Sequence, residues 1–122
     1  MEFIDIKAAI ERPRRFSHEI DGRVFDLIVP TQFAADLALE EARTNTRIKR
    51  RVVSEALRGW MHLTLADLKV PDAALPAEPL VYSPEMVELL LDARPDIEWD
   101  LFAELGRRVG ERRKYLEDQK GN

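Results

Sequence analysis

The sequence contains no cysteine and only two histidines among its 122 residues. The lack of cysteine excludes disulfide bonds and thiolate metal sites, and it is typical of a protein in a reducing compartment. No apolar run approaches the roughly 20 residues that a membrane-spanning helix needs, so we expect no membrane association. Glu2 and Asp5 stand where a signal peptide would be basic, and export is therefore not expected.

Basic charge and glycine are also scarce. Nineteen lysines and arginines face 23 acidic residues, for a net charge of -4, whereas a general nucleic-acid binder usually carries a basic excess. The five glycines are scattered, so the chain has no glycine-rich phosphate loop. Hydrophobic residues make up 45% and charged residues 34%, which is typical of a folded globular chain. The length predicts a single domain over residues 1–122.

A β-hairpin is predicted over about residues 14–29. Two runs in which apolar and polar residues alternate, near 14–20 and 23–29, flank Asp21-Gly22. Glycine accepts the positive φ that a two-residue hairpin turn requires. Ahead of the hairpin, residues 1–12 carry only a weak signal for a short helix, which Pro13 would end.

Helical periodicity follows the hairpin. A helix is predicted over about 31–60, capped by Thr31 and ending near Gly59-Trp60, with a possible break at "TNT", residues 44–46. On this interpretation Trp60 ends the helix's apolar stripe, packs into the core and uses its N–H on a nearby carbonyl. The segment "LTLADL", residues 63–68, adds at most one helical turn.

Two more helices are predicted after a proline-rich connection over 69–83. Ser83-Pro84 is a typical helix start, which gives a helix over about 84–93. Pro95-Asp96 then opens a helix over about 96–117, with acidic residues early and arginines late. The predicted fold class is α+β, mainly α: an N-terminal β-hairpin followed by three or four packed helices.

The residues that usually carry catalysis or bind metals do not form a recognisable pattern. Nothing in the sequence links His18 to His62, and each is interpreted as an ordinary surface or half-buried imidazole. Acidic residues between 85 and 100 suggest a metal or general-acid site, but a solvated face with charges at a helix N-terminus is favoured. We therefore expect no enzyme activity, no cofactor and no metal.

The most basic segment is "RTNTRIKRR", residues 43–51. On a helix its charges spread around much of the circumference, which favours a solvated outer face. The main alternative is a docking patch for an acidic partner, because local charge steers association. Nucleic-acid binding is a weaker alternative, since no aromatic residue interleaves with these charges.

Five short motifs follow one another over about residues 15–115. In order they are Asp21-Gly22, Gly59-Trp60, the segment 64–68 ("TLADL"), the segment 82–85 ("YSPE") and the segment 94–96 ("RPD"). This succession resembles small proteins encoded in the tail-gene regions of bacteriophages and prophages, known as tail assembly chaperones or minor tail accessory proteins. The resemblance implies no catalytic residues.

What the resemblance implies is non-catalytic binding of a tape-measure or tail-tube protein in the bacterial host cytoplasm. Exposed apolar helix positions and charged faces would hold the partner until it polymerises, and a homo-oligomer is possible. The expected contact residues are the arginines Arg47, Arg50, Arg51, Arg108 and Arg112. Two alternatives stay open: a structural virion component, such as a head–tail connector or completion protein, and a small helical DNA-binding regulator.

Overall fold

The computed structural model describes residues 1–71 and 73–120, apart from the side chains of residues 33 and 37. These residues form a three-stranded antiparallel sheet and five α-helices. The elements in chain order are α1 (Phe3–Glu11), β1 (Arg15–Ile20), β2 (Arg23–Ile28), α2 (Gln32–Ala42), α3 (Thr46–Ala56), β3 (Leu57–Met61), α4 (Pro84–Ala93) and α5 (Pro95–Lys120). Short 3-10 turns cover Arg12–Arg14 and Leu65–Leu68. The predicted α+β, mainly α class is confirmed. In the described part of the chain, no helix is both long and apolar enough to cross a membrane.

The predicted hairpin is present. Asp21 and Gly22 have φ values of 50° and 82°, the two positive angles of a tight turn between right-twisted strands. Phe16, His18 and Ile20 are half-buried while their neighbours along β1 are exposed, as the alternating pattern predicts. The hairpin is not the first element of the fold, however, because α1 precedes it.

The prediction of a single helix over 31–60 is wrong. Arg43 and Thr44 interrupt it, and α3 begins anew where Asn45 Oδ1 accepts hydrogen bonds from the N–H groups of Arg47 (3.1 Å) and Ile48 (3.2 Å). At Leu57 the chain then becomes extended and forms β3, which pairs antiparallel with β2. The interruption at 44–46 was foreseen from poor helix formers, but the strand was not.

The other helix starts follow their caps. Thr31 Oγ1 accepts from Ala34 N–H at 3.3 Å, and Ser83 Oγ accepts from Met86 N–H at 3.1 Å. Helix α4 covers the predicted 84–93, whereas α5 runs past its predicted end at 117 to Lys120. Residues 63–68 contain the single turn suggested by "LTLADL", which is a 3-10 turn.

The core lies where β2, β3 and the helices α3, α4 and α5 meet. The most fully enclosed side chains are Phe25, Leu27, Val53, Leu57, Leu90, Leu91, Ile97, Leu101 and Leu105. A smaller cluster of Val29, Ala35 and Val109 joins α2 to the middle of α5. Helix α1 contributes no buried residue to either cluster.

Asp67 ties the second 3-10 turn to the hairpin. Its carboxylate accepts hydrogen bonds from Arg23 Nη2 at 2.6 Å and from Thr64 N–H at 2.8 Å. The hydrogen bond from Arg23, assisted by the one from Thr64, lowers the pKa of Asp67 from 3.8 to about 2. Because the folded pKa is depressed, the stabilisation is present above the unfolded pKa and is lost as the pH falls through the folded pKa.

We expect the Asp67→Asn variant to be less stable than the wild type by about 2 kcal/mol at neutral pH, the order of magnitude of this pKa shift. The difference should shrink as the pH falls from about 4 toward about 2. Urea unfolding of both proteins over this range measures it. A difference that stays constant with pH would contradict the assignment.

Candidate protein-binding groove

Helices α2 and α5 diverge on the surface and leave an open groove of about 470 Å³ between them. Its lining residues come from one face of each helix: Ala35, Asp36, Leu39, Glu40 and Arg43 of α2, and Phe102, Ala103, Gly106, Arg107, Val109, Gly110 and Arg113 of α5. We call this surface the α2–α5 groove.

The α2–α5 groove is lined by small and apolar residues together with charged ones. Val109 and Ala35 are buried beneath it and connect it to the smaller core cluster. Gly106 and Gly110 lie one turn apart on α5, and a Cβ built on either would meet no other atom within 4 Å. The open space above these glycines lets another backbone approach α5 closely.

Trp99 is not among the lining residues of the groove, but it contacts Phe102, which is. It precedes Phe102 by about one helical turn, and the two rings meet edge to face with centroids 6.3 Å apart. Trp99 is 55% exposed, which is unusual for so large an apolar side chain. Lys49 Nζ lies 3.8 Å from the centre of its ring, so a cation–π contact fixes one side of the indole. Exposed tryptophans beside apolar grooves are typical anchors of protein interfaces.

Charged residues form the rim of the groove. Arg113 Nη2 donates to Asp36 Oδ1 at 2.5 Å and links α5 to α2. The pKa of Asp36 is lowered by hydrogen bonds from Gln32 and Arg113, so this carboxylate is ionised at neutral pH. Arg107 pairs with Glu104 and Glu111, and the exposed Arg43 completes the rim. Of the three arginines in the lining, Arg107 and Arg113 are therefore already engaged by carboxylates of the chain.

The predicted contact arginines of α3 have different surroundings. Arg47 and Arg51 are exposed. Arg50, by contrast, donates from Nε to Glu98 and from Nη1 to Glu88 (3.2 Å) and Asp92 (2.7 Å). The guanidinium of Arg50 is thus engaged within the chain rather than presented to a partner.

The interpretation of the acidic cluster as a solvated face holds except at one residue, since Glu98 is buried while the other acidic residues of the cluster are exposed: Glu85, Glu88, Asp92, Asp96 and Asp100. Glu98 is 5% exposed, and its Oε1 lies 3.3 Å from Nζ of the equally buried Lys49. Burial alone would lower the pKa of Arg50, but the hydrogen bonds that it donates to Glu98, Asp92 and Glu88 outweigh burial and raise that pKa above its ordinary value. The cluster therefore joins α3 to α4 and α5.

The predicted contact arginines of α5 lie away from the α2–α5 groove. Arg108 donates to Glu104 at 3.0 Å and its guanidinium lies 4.6 Å from the ring centre of Phe16. Arg112 is half-buried and lines a smaller depression beside Arg108 and Tyr115. The arginines that line the α2–α5 groove are Arg43, Arg107 and Arg113, none of which sequence analysis named as a contact residue.

The two histidines have separate, ordinary surroundings. His18 Nε2 lies 2.8 Å from Asp100 Oδ1, and the pair joins β1 to α5. His62 is exposed after β3, with a φ of 66°. In residues 1–71 and 73–120, no three His, Asp or Glu side chains are grouped so that they could hold a metal ion.

Comparison with known proteins identifies no relative. No protein-family model, curated protein or solved structure matches the chain.

Sequence analysis missed Trp99, Gly106 and Gly110 as parts of a surface. The signal was present in the spacing, because residues 99, 103, 106, 110 and 113 recur every three or four positions and so share one face of a helix. Except for Arg113, these residues are apolar or glycine although they lie outside the buried face of α5, and apolar residues outside the core face are a feature of binding helices.

Proposed function

We propose that this chain is a non-catalytic accessory protein of phage or prophage tail assembly. In this proposal it binds a helical segment of the tape-measure or tail-tube protein in the α2–α5 groove. The succession of motifs from Asp21-Gly22 to the "RPD" segment supports the tail context. The observation that carries protein binding is the open groove with small and apolar residues between charged ones, together with the exposed Trp99 that contacts its lining residue Phe102.

The geometry favours a helix as the bound segment. A helix that settles between two others packs its side chains into the grooves of both at an axis separation of 8–10 Å in general. Gly106 and Gly110 allow such a close approach along α5. An amphipathic partner would place its apolar positions i, i+3 and i+7 against Val109, Phe102 and Trp99. Its own apolar face would then be covered until tail polymerisation.

Charge defines the kind of segment that fits. The exposed Arg43 at the rim favours an acidic side chain beside the apolar face of the partner, and this attraction is strongest at low salt. Arg47 and Arg51, which are exposed on α3, add to the same positive field. Binding of this kind places the protein in the host cytoplasm during assembly and requires its release before the particle is complete.

We expect co-expression with the tape-measure protein of a tailed phage to keep that protein soluble and to give a complex that survives affinity capture. Trp99→Ala and Gly106→Leu should each weaken capture by about tenfold or more, since they remove the anchor and fill the floor. Leu89→Ala is the matched control, because Leu89 is 50% exposed on α4 and does not line the groove.

Failure to capture either tail protein at micromolar concentration would overturn the proposal. Mass spectrometry of purified particles then separates the two phage functions, because an accessory protein leaves and a connector stays. A gel shift with duplex DNA at physiological salt would favour the regulator instead. The engagement of Lys49 and Arg50 by Glu98 weighs against that outcome, since it removes two cations from the face that DNA would contact.

A further inference from the structure

Strand β1 forms an edge of the sheet and is paired on one side only. The strand order is β1-β2-β3, so β2 lies in the centre. At the opposite edge, the proline-rich connection is attached to β3 by hydrogen bonds from Trp60 Nε1 to Leu80 O (2.7 Å) and from the Tyr82 hydroxyl to Leu57 O (2.8 Å). In the described part of the chain, no strand pairs with the outer side of β1. A strand of another molecule can therefore be added at this edge.

Alternate residues of β1 turn their backbone groups away from β2. Ile20 and Arg23 flank the two-residue turn, and residues in these positions exchange backbone hydrogen bonds. At the other end of the hairpin, Val29 N–H donates to Arg14 O at 2.8 Å, which gives the ladder the same phase. The residues of β1 whose backbone groups point outward are therefore Arg15, Ser17 and Glu19.

The side chains of these three residues are exposed, on the side of the sheet opposite to His18 and α5. Charges on an edge strand usually discourage pairing with another chain. Here, however, the order of the charges is self-complementary. When a second β1 lies antiparallel with the two Ser17 residues opposite each other, Arg15 of each copy lies opposite Glu19 of the other, and such opposite-charge pairs stabilise a sheet.

Charge selects this register over the neighbouring ones. A two-fold axis at Glu19 would place two glutamates opposite each other, and an axis at Arg15 would place two arginines opposite each other. Both side chains are available for the pairing. Among residues 1–71 and 73–120, no cation pairs with Glu19, and Arg15 has one long contact, 3.7 Å from Nη2 to Glu11 Oε2, that leaves its side chain 57% exposed.

We infer that two copies of this chain form a dimer through antiparallel pairing of β1 with β1, which joins the two three-stranded sheets into one continuous sheet. The same strand serves both copies, so one two-fold axis beside Ser17 closes the assembly. Each Ser17 N–H donates to the partner's Ser17 O, and each Glu19 N–H donates to the partner's Arg15 O. Arg15 N–H is not needed, because it already donates to Arg12 O.

The other face of β1 fits the same pairing. Phe16 and His18 point toward α5 but stay half-buried, because β1 has no neighbour on its outer side. In the dimer, Phe16 lies opposite the partner's His18 at a position where the side chains of antiparallel strands are closest. The pairing uses no residue of the α2–α5 groove, so it goes beyond the proposed function and does not depend on it.

Reversed charges test the register. Light scattering after size exclusion, at concentrations up to about 100 µM, measures the association of the full chain. We expect the wild type to dimerise, and Glu19→Arg and Arg15→Glu each to associate about tenfold more weakly or less, because each sets like charges opposite each other. An equimolar mixture of the two variants should recover dimers, since every pair between positions 15 and 19 then joins unlike charges.

A wild type that is monomeric at about 100 µM would overturn the inference. So would single variants that associate as tightly as the wild type, and so would a mixture that associates no better than its components. All the substituted side chains are exposed, and circular dichroism checks that the variants are folded.

Ser17→Pro tests the backbone hydrogen bonds. Proline lacks the N–H that faces outward at this position, and an edge strand tolerates it there. This variant should be monomeric. Ser17→Ala is the matched control, because it keeps the N–H and loses only the hydroxyl that donates to Asp26 Oδ1 at 2.9 Å, and it should remain dimeric. A Ser17→Pro dimer or a Ser17→Ala monomer would contradict pairing through β1.

Amide hydrogen exchange of the wild type locates the interface without any substitution. The N–H groups of Ser17 and Glu19 point to solvent in the monomer and are hydrogen-bonded in the dimer. Their exchange should therefore slow by about tenfold or more as the protein concentration rises through the dimerisation range. Exchange at these two amides that does not change while dimers form would place the interface elsewhere and overturn the inference.

Discussion

Replacing Glu98 with glutamine is expected to lower the free energy of unfolding by about 3–5 kcal/mol. Glu98 is buried between Lys49 and Arg50, and it is the carboxylate that offsets both charges inside the protein. Glutamine keeps the shape of the side chain but leaves Lys49, whose side chain is 6% exposed, as an uncompensated buried cation. Urea unfolding at neutral pH measures the loss.

Glu88→Gln is the matched control for this prediction. Glu88 also accepts a hydrogen bond from Arg50, at 3.2 Å, but its side chain is 54% exposed. Water screens such a pair, so the control should lose less than about 1 kcal/mol. Equal losses of stability in the two variants would show that the burial of Glu98 does not determine how much its ion pairs contribute to the free energy of unfolding.

Replacing Trp60 with alanine is expected to cost about 3 kcal/mol of stability, near the lower end of values for a large aromatic side chain. Trp60 Nε1 donates to Leu80 O at 2.7 Å, and its ring meets Tyr82 edge to face with centroids 5.0 Å apart. The Tyr82 hydroxyl in turn donates to Leu57 O at 2.8 Å. These contacts attach the proline-rich connection to β3, and the variant loses the two that Trp60 makes.

Trp99→Ala provides the contrast with Trp60. It removes an exposed ring and the cation–π contact with Lys49, so its cost in thermal or urea unfolding should be about 1 kcal/mol or less. The two tryptophans are therefore expected to separate stability from binding: the first variant unfolds more easily, and the second loses the partner. A Trp99 variant as unstable as the Trp60 variant would contradict this division.

The parts of the fold that depend on neighbouring residues were predictable from sequence. Asp21-Gly22 specifies its turn through two positive φ angles, and Ser83 and Thr31 cap helices through residues three positions away. The hydrogen bond from Thr64 N–H to the Asp67 carboxylate is equally local. In each case the residue and its partner lie within a few positions of each other.

Strand β3 was missed because its pattern agrees with the helix before it. Val53, Ala56, Leu57 and Trp60 are spaced as on a helical stripe, and only pairing with β2 across α2 and α3 makes the last two residues extended. The hydrogen bond from Trp60 N–H to a carbonyl was correctly predicted although the element was wrong. A large aromatic donor seeks an acceptor in either conformation.

The candidate site was hidden for a similar reason. Arg50 and Glu98 are 48 positions apart, so no local pattern reveals that this arginine is already paired. The groove depends on how far α2 diverges from α5, which is decided by packing between helices that are distant in sequence. Spacing on α5 alone identifies the apolar face, but not that the face stays open.

The order of the strands in the sheet has a consequence for how the protein acquires its structure. Strands β1 and β2 are joined by a two-residue turn, and such hairpins form in about 1–10 µs. Strand β3 pairs with the other side of β2 only after α2 and α3 have closed a long loop, which is a slower step. During synthesis, one edge of the apolar central strand β2 therefore stays unpaired until both helices have emerged from the ribosome. In that interval the nascent chain is most prone to aggregate.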